Sequence, residues 1–382
     1  MKSILIIAFS DLNHDARVNR QINFLKDTYD LSVASFSHSY AKGIKSIQLQ
    51  RVKPGIFAKI IGGIALLITA YRLAYKIIYN QSQYEKLIGD RKYDLIIAND
   101  IETLPLALTI SKGSKVLFDA HEYAPRHFED KLVWRLFFSK FNQFLCKKYL
   151  PQIDAMLTVG QGLAKEYAKH FPVNPIVLTN ANYFCDLSPK STESYKIKLV
   201  HHGAANPSRQ LELMIDTMKY LDDRFTLDMI LLTPAIANKK TKRYLDTIKK
   251  MAIDNPRVKI LPPVKNNEVI SLIHNYDVGI FLLPPINFNY KNTLPNKLFD
   301  FVQARLAIAV GPTPEMADLV IKNDLGVVSS EFTSKSFAKA ISQLTPDKID
   351  YFKSKSNMAA KELSAENNKI LLNNIVSELL AN

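Results

Sequence analysis

Short apolar runs alternate with segments of helical period along most of the chain. Runs at 3–9, 31–35, 94–98, 115–118 and 155–159 have strand length and composition, and the segments at 15–27 and 161–169 repeat apolar residues at helical spacing. Strand–helix alternation of this kind predicts a parallel sheet. A polar, structure-poor stretch at 179–196 interrupts it, after which runs at 197–202, 227–232, 258–261, 278–282 and 306–310 restart it. With 382 residues the chain is too long for one ordinary core. The pattern predicts an α/β protein of two Rossmann-like domains, 1–184 and 185–354. A helical segment at 355–382 follows, a candidate to pack back on the first domain.

In doubly wound domains ligands bind at the carboxyl ends of the strands, which directs attention to the polar residues there. After the first strand, SDLNHDARVNRQINFL offers Asn13 or Asp15 as cap of a helix carrying Val18, Ile22 and Leu25 on one face. ANDIE brings Asp100 after the third strand. DAHEYAPRHFED brings Asp119, His121 and Glu122 after the fourth, with Arg126 available to pair with Glu122. In the second half HHGAANPSRQLE places Gly203 in a turn and Arg209 at the mouth of the next helix, with His201 and His202 open to structural or binding roles.

NTLPNKLFDFVQA poses a charge problem. Thr293 and Pro295 are helix-start signals, so Lys297 falls in or near a first turn, where the positive end of the dipole disfavours a cation. Asp300, three residues on, can pair with it at the surface for about 0.2 to 0.5 kcal/mol. Alternatively Lys297 and the helix terminus hold a phosphate, and Asp300 accepts hydrogen bonds from sugar hydroxyls.

The formal charge of +14 calls for an anionic partner. Scattered basic residues without a recognition motif argue against nucleic acid. Residues 54–79 hold an uncharged stretch from Ile60 to Tyr71, too short to span a bilayer, bordered by Lys59, Arg72 and Lys76 with Tyr71, Tyr75 and Tyr79 nearby. That composition suits a helix lying on an anionic membrane surface and equally a helix packed under its own sheet. Cys146 and Cys185 have no metal-ligand spacing, and two cysteines fit a reducing cytoplasm. MKSILIIAFS reads as a buried first strand and not as a leader peptide.

Taken in order, DARVNRQINFL, IIAND, FDAHE, VHHGAANPSRQLELMI and YDVGIFLLPP…LPNKLFDFVQA…VGPTPEM resemble glycosyltransferases of the GT-B fold, family 4 and its relatives, over residues 3–345. The resemblance implies transfer of a sugar from a UDP- or GDP-linked donor, bound by the second domain, to a saccharide or lipid-linked saccharide held by the first, in a cleft between them. Arg209 and Lys297 match the family's cations on the donor diphosphate. Asp300 matches its carboxylate on the ribose, Gly203 the turn beneath the phosphates, and His121 a histidine near the transferred sugar. Asn292 falls on the donor side, and Asn13, Asp15, Asp100 and Glu122 on the acceptor side. Retention of configuration is a further implication. Neither a DxD motif nor a His/Cys cluster argues for a bound metal, and no cofactor is expected. The charge and residues 54–79 add the expectation of a cytoplasmic enzyme of surface polysaccharide or glycoconjugate synthesis, peripheral at the inner face of the membrane.

The chain departs from the family pattern at four places, one of them Asp300, an aspartate where the family has glutamate. Asn292 stands where the family has an acidic residue, Arg305 where it has glycine, and Ala204 where a cation often follows the turn. Asn292 and Ala204 motivate one alternative, a catalytically silent GT-B subunit bound to a partner enzyme; a GT-B sugar-nucleotide epimerase, which needs acid/base carboxylates in the cleft, is another.

Overall fold

The computed structural model describes residues 1–39, 41–51, 55–232 and 239–381. Residues 54 and 382, the outer ends of two segments delineated above, lie outside them. The chain forms two compact units. The first comprises Met1–Thr179, Asn287–Asn289 and Asn368–Asn382, and the second Asn180–Ile286 and Tyr290–Asn367.

Unit 1 is built on seven parallel strands, β1 (Ser3–Ala8), β2 (Asp30–Ser35), β3 (Lys45–Gln48), β4 (Leu95–Asn99), β5 (Lys115–Ala120), β6 (Ala155–Thr158) and β7 (Ile176–Val177), in the order β3-β2-β1-β4-β5-β6-β7. The central strands are Ile-, Leu- and Ala-rich and buried along their length, as helices on both faces of a parallel sheet require. Unit 2 repeats the plan with β8 (Ile197–Ala204), β9 (Phe225–Leu232), β10 (Val258–Leu261), β11 (Val278–Phe281), β12 (Ala307–Val310) and β13 (Gly326–Val328), ordered β10-β9-β8-β11-β12-β13. The strand order reverses beside β1 and β4 in unit 1 and beside β8 and β11 in unit 2. These are the two places where the topology opens a crevice at the strand ends.

The segment 355–382 is not one helix. Helix Pro346–Ala359 ends before a second, Ala365–Ala381. The first is tied into unit 2 by Lys353, whose buried ammonium donates to Asp277 at 2.7 Å. The chain from Asn368 onward belongs to unit 1, where Asn373 donates to the Phe24 carbonyl at 3.3 Å.

Arg305 explains its own departure from glycine. It adopts φ +60°, a conformation that L side chains enter at a cost. Its buried guanidinium offsets that cost by donating to Asn357 Oδ1 (2.8 Å) and the carbonyls of Gln303 (2.7 Å) and Cys185 (2.7 Å). Arg305→Ala, which keeps the strain and orphans these acceptors, is expected to lower the free energy of unfolding by about 3 kcal/mol in a urea titration.

Candidate functional site

The helix Asn296–Gln303 has Leu298, Phe299, Phe301 and Val302 fully buried around its circumference, so its polar residues are carried into the interior as well. Gly279 of β11 makes the seat: a Cβ there would lie 2.3 Å from the Phe301 ring, and only glycine lets the helix pack so close. Lys297 and Asp300 are consequently 6% and 7% exposed. The surface pair that their spacing allows does not form. Lys297 Nζ lies 3.3 Å from His201 Nε2 and 3.7 Å from the centre of the Phe281 ring, while Asp300 accepts from Asn182 Nδ2 at 3.1 Å.

Arg209 arrives from the opposite side. It closes the turn Pro207–Arg209, which Asn206 caps by accepting from the Ser208 amide at 3.1 Å. Gly203, at φ +133°, lies beneath both cations: a Cβ on it would stand 3.3 Å from Lys297 Nζ and 3.4 Å from Arg209 Nη1. Among the described residues no carboxylate forms an ion pair with either. Burial, and then the charge of Arg209, push the Lys297 ammonium well below its ordinary pKa, with Asp300 opposing. His201 is held neutral by burial and by Lys297. Its Nδ1–H donates to the Ile280 carbonyl at 3.1 Å, which leaves the Nε2 lone pair to accept from Lys297 and fixes the direction of the ammonium.

His202 completes this end of the sheet. Burial, then Lys297 and Arg209, lower its pKa to about 3, so it is neutral 3.5 Å from Asp300. Its Nε2 is buried and makes no hydrogen bond among the described residues, an orphan that native interiors rarely leave without a reason. Asn292 is half-buried on the segment before the helix. Two cations that no carboxylate pairs with among the described residues, above the end of β8, where Gly203 lies in the strand and not in the turn expected from the sequence, can neutralise an anionic ligand at the start of a helix. Sequence reasoning missed Phe281, since nothing in a strand-end phenylalanine announces a lysine above its ring.

The crevice of unit 1 has a different chemistry. Asp15 caps helix Ala16–Leu25 by accepting from the Val18 amide (3.0 Å) and takes the Ser10 hydroxyl (2.6 Å); Asn13 is exposed in the preceding turn and donates to Asp11. Asp15, Asp100, Glu102 and His127 line a cavity of about 370 Å³ whose wall includes Phe9, Phe36, Tyr79 and Tyr84. Phe9 stacks on Phe36 at 5.9 Å and on Tyr79 at 5.8 Å. Glu102, which the sequence reading passed over beside Asp100, has its carboxyl raised to about 7 by burial and by the Asp100 charge.

His121 lies behind this cavity. Its Nδ1 is 3.1 Å from Asp100, and its Nε2 is 3.2 Å from Asn99 Oδ1 and 3.8 Å from Asp119. Burial works against the charged ring, but Asp100 and Asp119 outweigh it and raise the pKa to about 10. Asp119, fully buried, takes two bonds from Arg17, at 2.8 and 2.5 Å, and one from Gln21. Glu122 does not pair with Arg126, which goes to Glu129; it pairs with His127 at 2.6 Å.

Among the described residues no group of three His, Cys, Asp or Glu side chains is placed to hold a metal, and no helix is long and apolar enough to cross a membrane. No protein-family model and no curated protein matches the chain. Solved structures do. Sucrose-phosphate synthase of Thermosynechococcus elongatus is similar with a TM-score of 0.73 at 10% identity over 100% of both chains. An α,α-trehalose-phosphate synthase (UDP-forming) of Burkholderia vietnamiensis gives 0.70 at 9% identity over 100% of both. Anabaena HepE in complex with UDP-glucose gives 0.69 at 14% identity over 99% of this chain and 100% of that one. The chain has the GT-B fold.

Proposed function

We propose that this chain is a glycosyltransferase that takes its sugar from a nucleoside-diphosphate donor bound in unit 2. One observation carries the reading: Lys297 and Arg209, buried or half-buried and without a carboxylate between them, converge above Gly203 at the strand-order reversal of that unit. Breaking the bond between sugar and phosphate leaves negative charge on the diphosphate, and fixed cations stabilise that charge more in the transition state than in the ground state. They supply the neutralisation that a divalent cation gives elsewhere, which supports a metal-independent reaction. Asp300, beside the orphaned Nε2 of His202, takes the ribose hydroxyls. UDP is the favoured diphosphate, since HepE and the UDP-forming synthase handle it.

The acceptor is a saccharide held in the cavity of unit 1, where aromatic faces and carboxylates suit a ring bearing hydroxyls. His121, with both ring nitrogens engaged, acts there by orienting Asp100. Asn13 and Glu122 stand outside the lining and contribute nothing direct. Retention of configuration and a lipid-linked acceptor in surface-polysaccharide synthesis complete the proposal, with residues 54–79 resting on the inner face of an anionic membrane. Helix Ile56–Leu67 supports this last part because only Gly62, Ala65 and Leu66 of it are buried; Tyr75 and Tyr79 turn inward instead.

The second reading, a silent subunit, is favoured by Asn292, which removes a carboxylate from the donor side. Incubation with UDP- and GDP-linked hexoses decides between them. The enzyme releases nucleoside diphosphate faster when a saccharide acceptor is added, and Arg209→Ala loses that release. No turnover of any sugar nucleotide sustains the silent subunit.

A further inference from the structure

Unit 1 carries an apolar surface that its own fold leaves uncovered. Helix Ile56–Leu67 rests on the body through its small side and turns Phe57, Ile60, Ile64 and Leu67 outward, with Phe57 82% exposed, the reverse of a packed amphipathic helix. A second segment lies against it. Leu132–Trp134 runs into the π-helical turn Arg135–Ser139, which packs on that helix, and Leu132, Val133 and Leu136 are 61%, 68% and 63% exposed. In sequence this stretch, LVWRLFF, has the look of core.

Within these two elements the charge is of one sign, although Glu129 and Asp130 precede the second. No Asp or Glu occurs between residues 31 and 84 or between residues 131 and 153. Lys59, Lys131 and Arg135 border the apolar face. Beyond it, on helix Lys140–Tyr149, Lys140, Lys147 and Lys148 surround a cavity of about 460 Å³ with Tyr71 and Phe144. Trp134, the sole tryptophan of the chain, sits in the second segment, edge-on to Phe128. Apolar side chains flanked by lysines and an aromatic residue of mixed polarity are the components of a bilayer-surface anchor. A second copy is a poor occupant, because a two-fold contact would set these basic rims against each other.

We infer that residues 131–148 form, with helix Ile56–Leu67, a single face that docks on anionic bilayers. Leu132, Val133 and Leu136 enter the acyl boundary beside Phe57 and Ile60, and Lys140, Lys147 and Lys148 hold lipid phosphate. This rests on the membrane reading of residues 54–79 and adds to it a second inserting element and a phosphate cradle.

Trp134 provides the test in the full chain. Its emission shifts to the blue with vesicles of phosphatidylglycerol and phosphatidylcholine, stays put with phosphatidylcholine alone, and returns at high salt. Leu132→Asp/Leu136→Asp and, separately, Lys140→Glu/Lys147→Glu/Lys148→Glu each weaken co-sedimentation with the anionic vesicles by roughly tenfold or more while thermal unfolding is unchanged. If both variants bind as wild type while Ile60→Asp/Ile64→Asp does not, the second element is refuted and residues 54–79 stand. If no protein binds vesicles at all, both fall. A wild-type dimer that Leu136→Asp dissociates would overturn the inference in favour of a second copy.

Discussion

Replacing Lys297 by methionine is expected to raise the free energy of unfolding by about 1 to 2 kcal/mol and to abolish measurable binding of nucleoside diphosphates. The ammonium is buried, shares its surroundings with Arg209, and has a ring face and a neutral imidazole for company in place of a carboxylate. Methionine fills similar volume without a charge to desolvate. A residue that costs stability and is nevertheless built in, aimed by His201, is explained by a ligand that supplies the missing anion. Urea titration of the two proteins measures the first effect; equal or lower stability of the variant would mean that the ammonium is already satisfied.

The same residue sets a pH dependence. Because its pKa in the fold lies well below 10.5, the folded state binds fewer protons than the unfolded one, so its penalty lessens as pH rises toward 10.5. A diphosphate reverses the shift by favouring the charged form. UDP binding to the wild type is therefore accompanied by net proton uptake, read as a dependence of calorimetric enthalpy on the ionisation enthalpy of the buffer; an enthalpy that is the same in every buffer would mean that the ammonium is charged before UDP arrives.

Asp119→Ala is expected to be the most damaging single change in unit 1, at about 3 to 5 kcal/mol, because it leaves the Arg17 guanidinium buried without its partner. Burial opposes ionisation of Asp119, but Arg17 and His121 outweigh it and hold the carboxyl below 3.8. Its contribution is present above that pH and is lost as pH falls through the folded value. His121 works the other way: its contribution is complete below 6.5 and fades as pH rises toward about 10. In wild type the lessening penalty at Lys297 offsets part of that fading, so stability measured across this range declines more steeply in Lys297→Met. A variant Asp119→Ala that unfolds like wild type would show that the pair is dispensable.

The sheet cores were legible because ten apolar runs of strand length coincide with ten strands of the fold. β3, β7 and β13 were not. KSIQ, IV and GVV are short and lie at the outer positions of their sheets, where half of each strand's setting is solvent and no apolar run is needed. The helical period at 355–382 concealed a break at residues 360–364, which no proline or glycine marks. In the site, Arg209, Gly203 and Lys297 stood out by position after a strand or at a helix start. Arg17 did not, since an arginine in ARVNRQ looks like surface charge until the fold brings it to Asp119, 102 residues away. Spacing alone suggested a surface pair for Lys297 and Asp300, and burial of the whole helix separated them.

Calorimetric titration of UDP into wild type, Arg209→Ala and Lys297→Ala tests the central claim most directly. The account predicts saturable binding to wild type and a weakening of roughly tenfold or more, about 1.4 kcal/mol, in each variant. UDP that binds all three proteins with the same affinity would place the nucleotide elsewhere and contradict it.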